Sequence, residues 1–157
     1  MSGIHCDFIR ASIKDIDSMI CLRIALLKEL GEIKSSQEEQ LVRSSTKEYL
    51  QQAISNNEFI SYIARCNGET VGASGVVIIK RPPYLENLNG MEAYILNMYT
   101  IPQHRGRGIS RKLLESCIDE CKNIGVKRVW LHSSDNGKHL YQKVGFTPKS
   151  NEMEFFI

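Results

Sequence analysis

The stretch Thr100-Ile101-Pro102-Gln103-His104-Arg105-Gly106-Arg107-Gly108-Ile109-Ser110 combines the residue types that hold an oxyanion. A β-rich run precedes it and an amphipathic helical pattern follows it. The first N–H groups of a helix have no partner inside the helix and carry partial positive charge. Gly106 and Gly108 let a bulky anion come close to that backbone. Arg105 and Arg107 add charge. The combination predicts a phosphate or pyrophosphate seat. It is not a P-loop, because no Lys-Ser or Lys-Thr pair follows Gly108. It also lacks the third glycine of a dinucleotide fingerprint. The glycines by themselves would equally suit a tight strand-to-helix turn with two solubilising arginines.

Cysteine is the other reactive type. Cys6, Cys21, Cys66, Cys117 and Cys121 are odd in number and contain no Cys-x-x-Cys. That usage predicts reduced, mostly buried thiols in a cytoplasmic protein. Cys117 and Cys121 stand i, i+4 on a helix and could pair with His104 and His132 around zinc. The established zinc spacings are absent, so the expectation is no metal. No cysteine sits beside an activating histidine in a glycine-rich turn, so a nucleophilic thiol is not expected.

The elements that must position the anion seat follow from periodicity. Ile4–Arg10 reads as a first strand. Ser12 can cap the next helix, with Asp15 three residues on. Apolar residues from Ile13 to Leu30 recur at helical spacing, and Gly31 is placed to stop them. Residues 32–43 are polar and read as a loop or a helical lid. A second helix is expected from about Ser45 to Ser55. Phe59–Arg65 and Thr70–Ile79 are strands joined by an Asn67-Gly68 hairpin turn. Arg81–Gly90 is a loop and Ala93–Thr100 a strand ended by Pro102. Ile109–Ile124 is the clearest amphipathic helix, closed by Gly125. Val126–His132 is a strand, Gly137–Lys143 a short helix, and Glu152–Ile157 a last strand.

At 157 residues the chain suits one domain, and no linker or repeat divides residues 1–157. It carries 20 Lys+Arg against 18 Asp+Glu, a net +2 that argues against nucleic acid as a partner. The N-terminus has no secretory pattern. The apolar runs Val76–Ile79 and Ile20–Leu27, the second broken by Arg23, fall far short of a bilayer span, so no membrane partner is expected. The strand and helix order predicts a single α/β domain.

Gln103-x-x-Gly106-x-Gly108, between its strand and its helix, resembles the acetyl-CoA pyrophosphate loop of the GNAT superfamily of N-acetyltransferases. Leu140-Tyr141-Gln142-Lys143-Val144-Gly145-Phe146 resembles the family's Leu-Tyr-Glu-Lys-x-Gly-Phe signature. The resemblance covers about Tyr94 to Phe146 and is compatible with the rest. It implies a mixed, mostly antiparallel sheet with helices on both faces. The sheet would splay between the fourth and fifth strands, Tyr94–Thr100 and Val126–His132, and acetyl-CoA would enter there as co-substrate.

The resemblance also implies roles. The backbone of Met98, Tyr99 and Thr100 would pair with the pantetheine amides. The N–H groups from Gln103 through His104, Arg105, Gly106 and Arg107 to Gly108, continuing into Ile109 and Ser110, would hold the pyrophosphate. Tyr141 would be the general acid, since a phenol titrating near ~10 is protonated at neutral pH. Many relatives carry a base on the fourth strand. Here Glu92 precedes that strand, and Asn97 and Tyr99 are poor bases. His132 could serve, directly or through water, or be a structural histidine. Ser134 replaces an asparagine that touches the cofactor in many relatives, and its hydroxyl can still hydrogen-bond. The expected activity is direct acetyl transfer to an amine in a ternary complex. A non-catalytic acyl-CoA-binding module is the alternative. The acceptor, a small molecule or peptide amine, would enter between the first two helices, residues 32–43 and the 81–90 loop. Glu32, Glu38 and Glu39 suggest a cationic acceptor, or simply a solvated helix face. A homodimer is left open.

Overall fold

The computed structural model describes residues 3–157. Its strands are β1 Cys6–Arg10, β2 Phe59–Ile60, β3 Tyr62–Cys66, β4 Glu69–Lys80, β5 Met91–Thr100 and β6 Arg128–Leu131. They form one sheet in the order β1-β3-β4-β5-β6, with β2 also paired to β4. Every pairing is antiparallel except β5 with β6. The helices are α1 Ile16–Glu29, α2 Ser36–Ser55, α3 Ile109–Asn123 and α4 Lys138–Val144.

The periodicity decides which face each helix covers. Ile16, Met19, Ile20, Ile24 and Leu27 of α1, with Leu50 and Ala53 of α2, pack on Phe59, Ile63, Ala73 and Tyr99. On the opposite face Leu114, Cys117 and Cys121 of α3 pack on Val76, Ala93 and Ile95. Gly72 sets how closely α3 approaches: a Cβ there would stand 3.0 Å from Ile109 and 3.1 Å from Leu113. That contact anchors the first turns of α3 over the sheet.

Local signals were realised where they are self-contained. Ser12 and Asp15 form a reciprocal capping box ahead of α1. Asn67 and Gly68 take φ values of +50° and +82°, the geometry of a tight hairpin turn. Elsewhere the structure corrects the expectation. α2 begins at Ser36, so the polar segment 32–43 is mostly helix. Ser35 accepts from the Glu38 N–H, and the Glu38 carboxylate accepts from the Ser35 N–H. The strand expected over Phe59–Arg65 breaks at Ser61, whose carbonyl accepts from Ala11. Residues 152–157 form no strand, and Met153, Phe155, Phe156 and Ile157 are exposed. Met153, Phe155 and Ile157 alternate with Glu152 and Glu154, a half-buried strand pattern that needs a partner edge and cover on its apolar face, and neither is met here.

The thiols also differ from the expectation of reduced, buried cysteines. Cys6 and Cys66 are disulfide-bonded, while Cys21 is exposed and Cys117 and Cys121 are buried and free. The reason is register: Cys6 lies directly opposite Cys66 in the β1–β3 ladder, with Cα atoms 4.1 Å apart.

Candidate active site

β5 carries one extra residue. Gly75 faces Leu96 and Ala73 faces Tyr99, so two steps on β4 match three on β5. Asn97 takes up the difference with φ +58°, an uncommon value for a residue with a side chain. The bulge reverses the facing of the strand. Ala93 and Ile95 face α3 before it, whereas Met98 faces α3 and Tyr99 faces α1 after it. β6 pairs with β5 only from Glu92↔Arg128 to Ile95↔Leu131. Beyond Ile95 the two strands part. Met98, Tyr99 and Thr100 therefore present a strand edge that β6 does not fill.

That wedge opens onto the glycine loop. After β5 a short 3-10 turn, Pro102–His104, leads to Gly106 and Gly108, with φ of +75° and +76°. A Cβ on either glycine would meet nothing within 4 Å, so the space above this backbone is open. Gly108 is the N-cap of α3 and has no side chain to satisfy the helix's first N–H groups, including those of Ile109 and Ser110. The Thr100 and Ser110 hydroxyls lie 2.9 Å apart and link the strand end to the helix start. The loop thus fits a diphosphate.

The two loop arginines differ. Arg107 is exposed. Arg105 turns back into the protein: its Nε donates to the Thr100 carbonyl at 2.9 Å and its fork binds Glu29 of α1. It also lies over the Tyr99 ring, 5.3 Å from the centroid. The Arg105 side chain is therefore a strut of the loop rather than free charge above it.

Tyr141 and His132 stand on the wall of one cleft of about 910 Å³ along β6. Tyr141 packs against the core cluster that contains Cys117, as do Met98 and Leu131, and stands edge-on against Phe146. Burial, then the Cys117 thiol and Tyr94, push its hydroxyl above the usual phenol value. His132 has both ring nitrogens engaged. Nδ1 lies 2.6 Å from the Tyr94 hydroxyl, and Nε2 contacts the Glu152 carboxylate. With Nε2–H given to the carboxylate, Nδ1 accepts from Tyr94. Ser134 is exposed and accepts from the Gly137 N–H at 3.2 Å, so it caps the turn before α4. Burial pushes the Cys117 thiol up to about 12 and the Cys121 thiol up to about 11, as expected of packing residues.

Glu92 is fully buried in β5 rather than ahead of it. Burial alone would raise its pKa, but hydrogen bonds from Tyr84, Arg81 and Arg128 hold it below the usual carboxylate range. A second cavity, of about 430 Å³, lies between α1, α2 and the sheet, with Arg23 and Asn97 on its wall.

Residues 26–146 match the Acetyltransferase (GNAT) family. The chain belongs to the GNAT family. Its fold overlays a predicted acetyltransferase with acetyl-CoA from Clostridium acetobutylicum with a TM-score of 0.88 at 27% identity, covering 97% of this chain and 96% of that one. A GCN5-related N-acetyltransferase from Ralstonia eutropha JMP134 overlays with a TM-score of 0.87 at 24% identity, covering 98% and 99%. Among curated relatives, glucosamine 6-phosphate N-acetyltransferase of Arabidopsis thaliana is 31% identical over 87 residues, 55% of this chain and 57% of that protein. The ribosomal protein bS18-alanine N-acetyltransferase of Haemophilus influenzae is 35% identical over 57 residues, 35% and 39% of the two chains. The chain thus spans little more than half the length of the first of these relatives, and less of the second.

In this GNAT chain the glycine loop continues directly from the open β5 edge, whereas Tyr141 and His132 line the cleft along β6, with Tyr141 and Met98 packed against the same core cluster. Sequence reasoning missed Tyr94, Glu152 and Arg23 as site neighbours. Arg23 had a signal, as a charge interrupting the apolar face of α1. Glu152 had none, because its contact with His132 depends on the path of the C-terminal tail. No helix of the described residues is long and apolar enough to cross a membrane.

Proposed function

We propose that this chain is an N-acetyltransferase that moves acetyl from acetyl-CoA to a primary amine by direct attack in a ternary complex. The observation that carries the reading is the parting of β5 from β6 onto an unfilled helix N-terminus. The pyrophosphate lies on the N–H groups from Gln103 to Ser110, and pantetheine runs along Met98, Tyr99 and Thr100 as an added strand. The amine nitrogen attacks the acetyl carbonyl, the C–N bond forms and the C–S bond breaks. Tyr141, kept protonated by burial, gives its proton to the departing thiolate. The amine's proton leaves through Tyr94 to His132, which Glu152 orients. Direct attack by His132 on the amine proton would first have to displace Tyr94 or Glu152.

The acceptor is a small-molecule or peptide amine entering the cavity between α1 and α2. Relatives named for an amino-sugar phosphate and for a protein alanine support an amine acceptor of either kind. The near-zero charge balance fits neither nucleic acid nor an anionic membrane surface as partner. A cytoplasmic location suits a soluble acetyl-CoA user, and there the Cys6–Cys66 pair would be held open by reducing thiols.

One observation favours a second reading, a non-catalytic acyl-CoA-binding module: the one carboxylate of β5 near the site, Glu92, is bound by two arginines and a tyrosine. Release of the CoA thiol in the presence of a panel of amines decides. Amine-dependent release that falls in Tyr141→Phe supports the enzyme. Acetyl-CoA binding with no release for any amine supports the module.

A further inference from the structure

Two of the three acidic residues that suggested a cationic acceptor are occupied elsewhere, and the third, Glu32, acts on Arg23. Glu38 caps α2, and Glu39 is paired with Lys28 and Arg43. The cavity between α1, α2 and the sheet has the opposite sign. Its polar wall consists of Arg23, Ser45, Thr46, Tyr49 and Asn97, with no acidic side chain. Arg23 is the only ionised group on that wall. It donates Nη1 to the Asn97 side-chain oxygen, and no ion-pair partner for it occurs among the described residues. Burial lowers its pKa, opposed electrostatically by Glu32 and then Tyr49. A guanidinium held partly out of water with no direct ion pair is a site for an anion.

Position and wall narrow the ligand. Arg23 is tied to Asn97, the bulge residue where β5 leaves β6, so an anion on its remaining N–H groups stands next to the transfer centre. Anion and amine must then be only a few bonds apart. One cation matches one negative charge, whereas a phosphate monoester carries about −1.5 to −2 at neutral pH. Phe59, Val77, Leu96, Leu41 and Val42 supply an apolar wall beside it.

We propose that the acceptor is a free amino acid with an apolar side chain, its carboxylate held by Arg23 and its side chain on the Phe59–Leu96 wall. The proposal rests on the reading of this cavity as the acceptor site of an acetyltransferase. Binding makes and breaks no covalent bond, and the transfer is the one already described.

The test compares amines that differ in the carboxylate alone: leucine, methionine and phenylalanine, each against its amide, with glucosamine 6-phosphate as a third probe. The amide has the less basic amine, so at neutral pH the comparison is biased against the proposal. The acid of at least one pair is expected to exceed its amide in kcat/KM by ~10- to 100-fold, the scale of hydrogen bonds to a charged group. Arg23→Gln should collapse that ratio toward one, mainly through KM, and Arg23→Lys should retain part of it. Should a variant fail to fold, the wild-type ratio still decides. Equal use of acid and amide, a preference for glucosamine 6-phosphate, or an unchanged ratio in Arg23→Gln overturns the proposal. If other amines are acetylated and no amino acid is, the Arg23 assignment alone falls. If no amine is acetylated although acetyl-CoA raises the melting temperature, the catalytic reading falls with it.

Discussion

Arg105 and Glu29 join the glycine loop to α1 by two parallel hydrogen bonds, Nη1 to Oε1 at 3.0 Å and Nη2 to Oε2 at 2.7 Å. The contact draws the Glu29 carboxyl below its usual range, chiefly through the hydrogen bond from Arg105, and raises Arg105 in turn. Both side chains are nearly half exposed, so the pair contributes less than ~1 kcal/mol to folding. Its consequence is positional. With Nε on the Thr100 carbonyl, Arg105 fixes the path of the chain from β5 into the loop.

Glu29→Ala should therefore leave the melting temperature almost unchanged while weakening acetyl-CoA binding. Ordering a released side chain and loop on binding costs about 0.5–1.5 kcal/mol, or roughly 2- to 10-fold in Kd. Calorimetric titration of acetyl-CoA checks this. An unchanged Kd would show that the loop holds its shape without α1.

Tyr141→Phe keeps the ring against Phe146 and removes the hydroxyl alone. If that hydroxyl protonates the thiolate, kcat and kcat/KM fall together, by ~10- to 10³-fold, and acetyl-CoA affinity changes by less than ~1 kcal/mol. Steady-state kinetics with the best amine measures the fall. Full activity would remove Tyr141 from the proton path.

Glu92 makes stability depend on acid. Its folded-state pKa lies below the ordinary carboxylate value of ~4.3, so its ion pairs contribute fully above that value and are lost as pH falls through the folded one. Melting temperature should drop as pH is lowered below about 4 in the wild type. Glu92→Gln should be less stable at neutral pH by ~1–3 kcal/mol and show a flatter acid limb. Parallel curves for the two proteins would contradict the assignment.

The disulfide ties β1 to β3 at the edge of the sheet opposite the wedge. Its residues are 60 apart in sequence, a loop whose closure entropy is worth at most ~4 kcal/mol. Reduction, or Cys66→Ser, should lower the melting temperature and leave acetyl-CoA affinity unchanged. A matching loss of affinity would mean that β1 communicates with the loop.

What was legible in the sequence divides by range. Ser12 with Asp15, Asn67-Gly68 and the closing Gly125 act within one turn, and each is where its residue type predicts. The start of α2 was equally local, in Ser35 and Glu38, but the polar residues after it give little apolar period to confirm a helix. The remaining misses are long-range. Cys6 opposite Cys66, Arg105 on Glu29 and Glu92 under Arg81 and Arg128 exist only once strand register is set. The Asn97 bulge leaves no mark in composition, since a single extra residue shifts the alternation of β5 by one place. Met153–Ile157 has strand-forming residues but pairs with no strand, although β6 is the last strand of the sheet. The wedge itself was reached through resemblance at Gln103–Gly108 and Leu140–Phe146, not through periodicity.

Acetyl-CoA entry between β5 and β6 is tested most directly by a crystal structure of the complex. The diphosphate should accept hydrogen bonds from the backbone between Gln103 and Ser110, with pantetheine alongside Met98, Tyr99 and Thr100 and the sulfur within reach of Tyr141. Acetyl-CoA found instead in the cavity between α1 and α2, or in the cleft along β6 with the glycine loop bare, would contradict it.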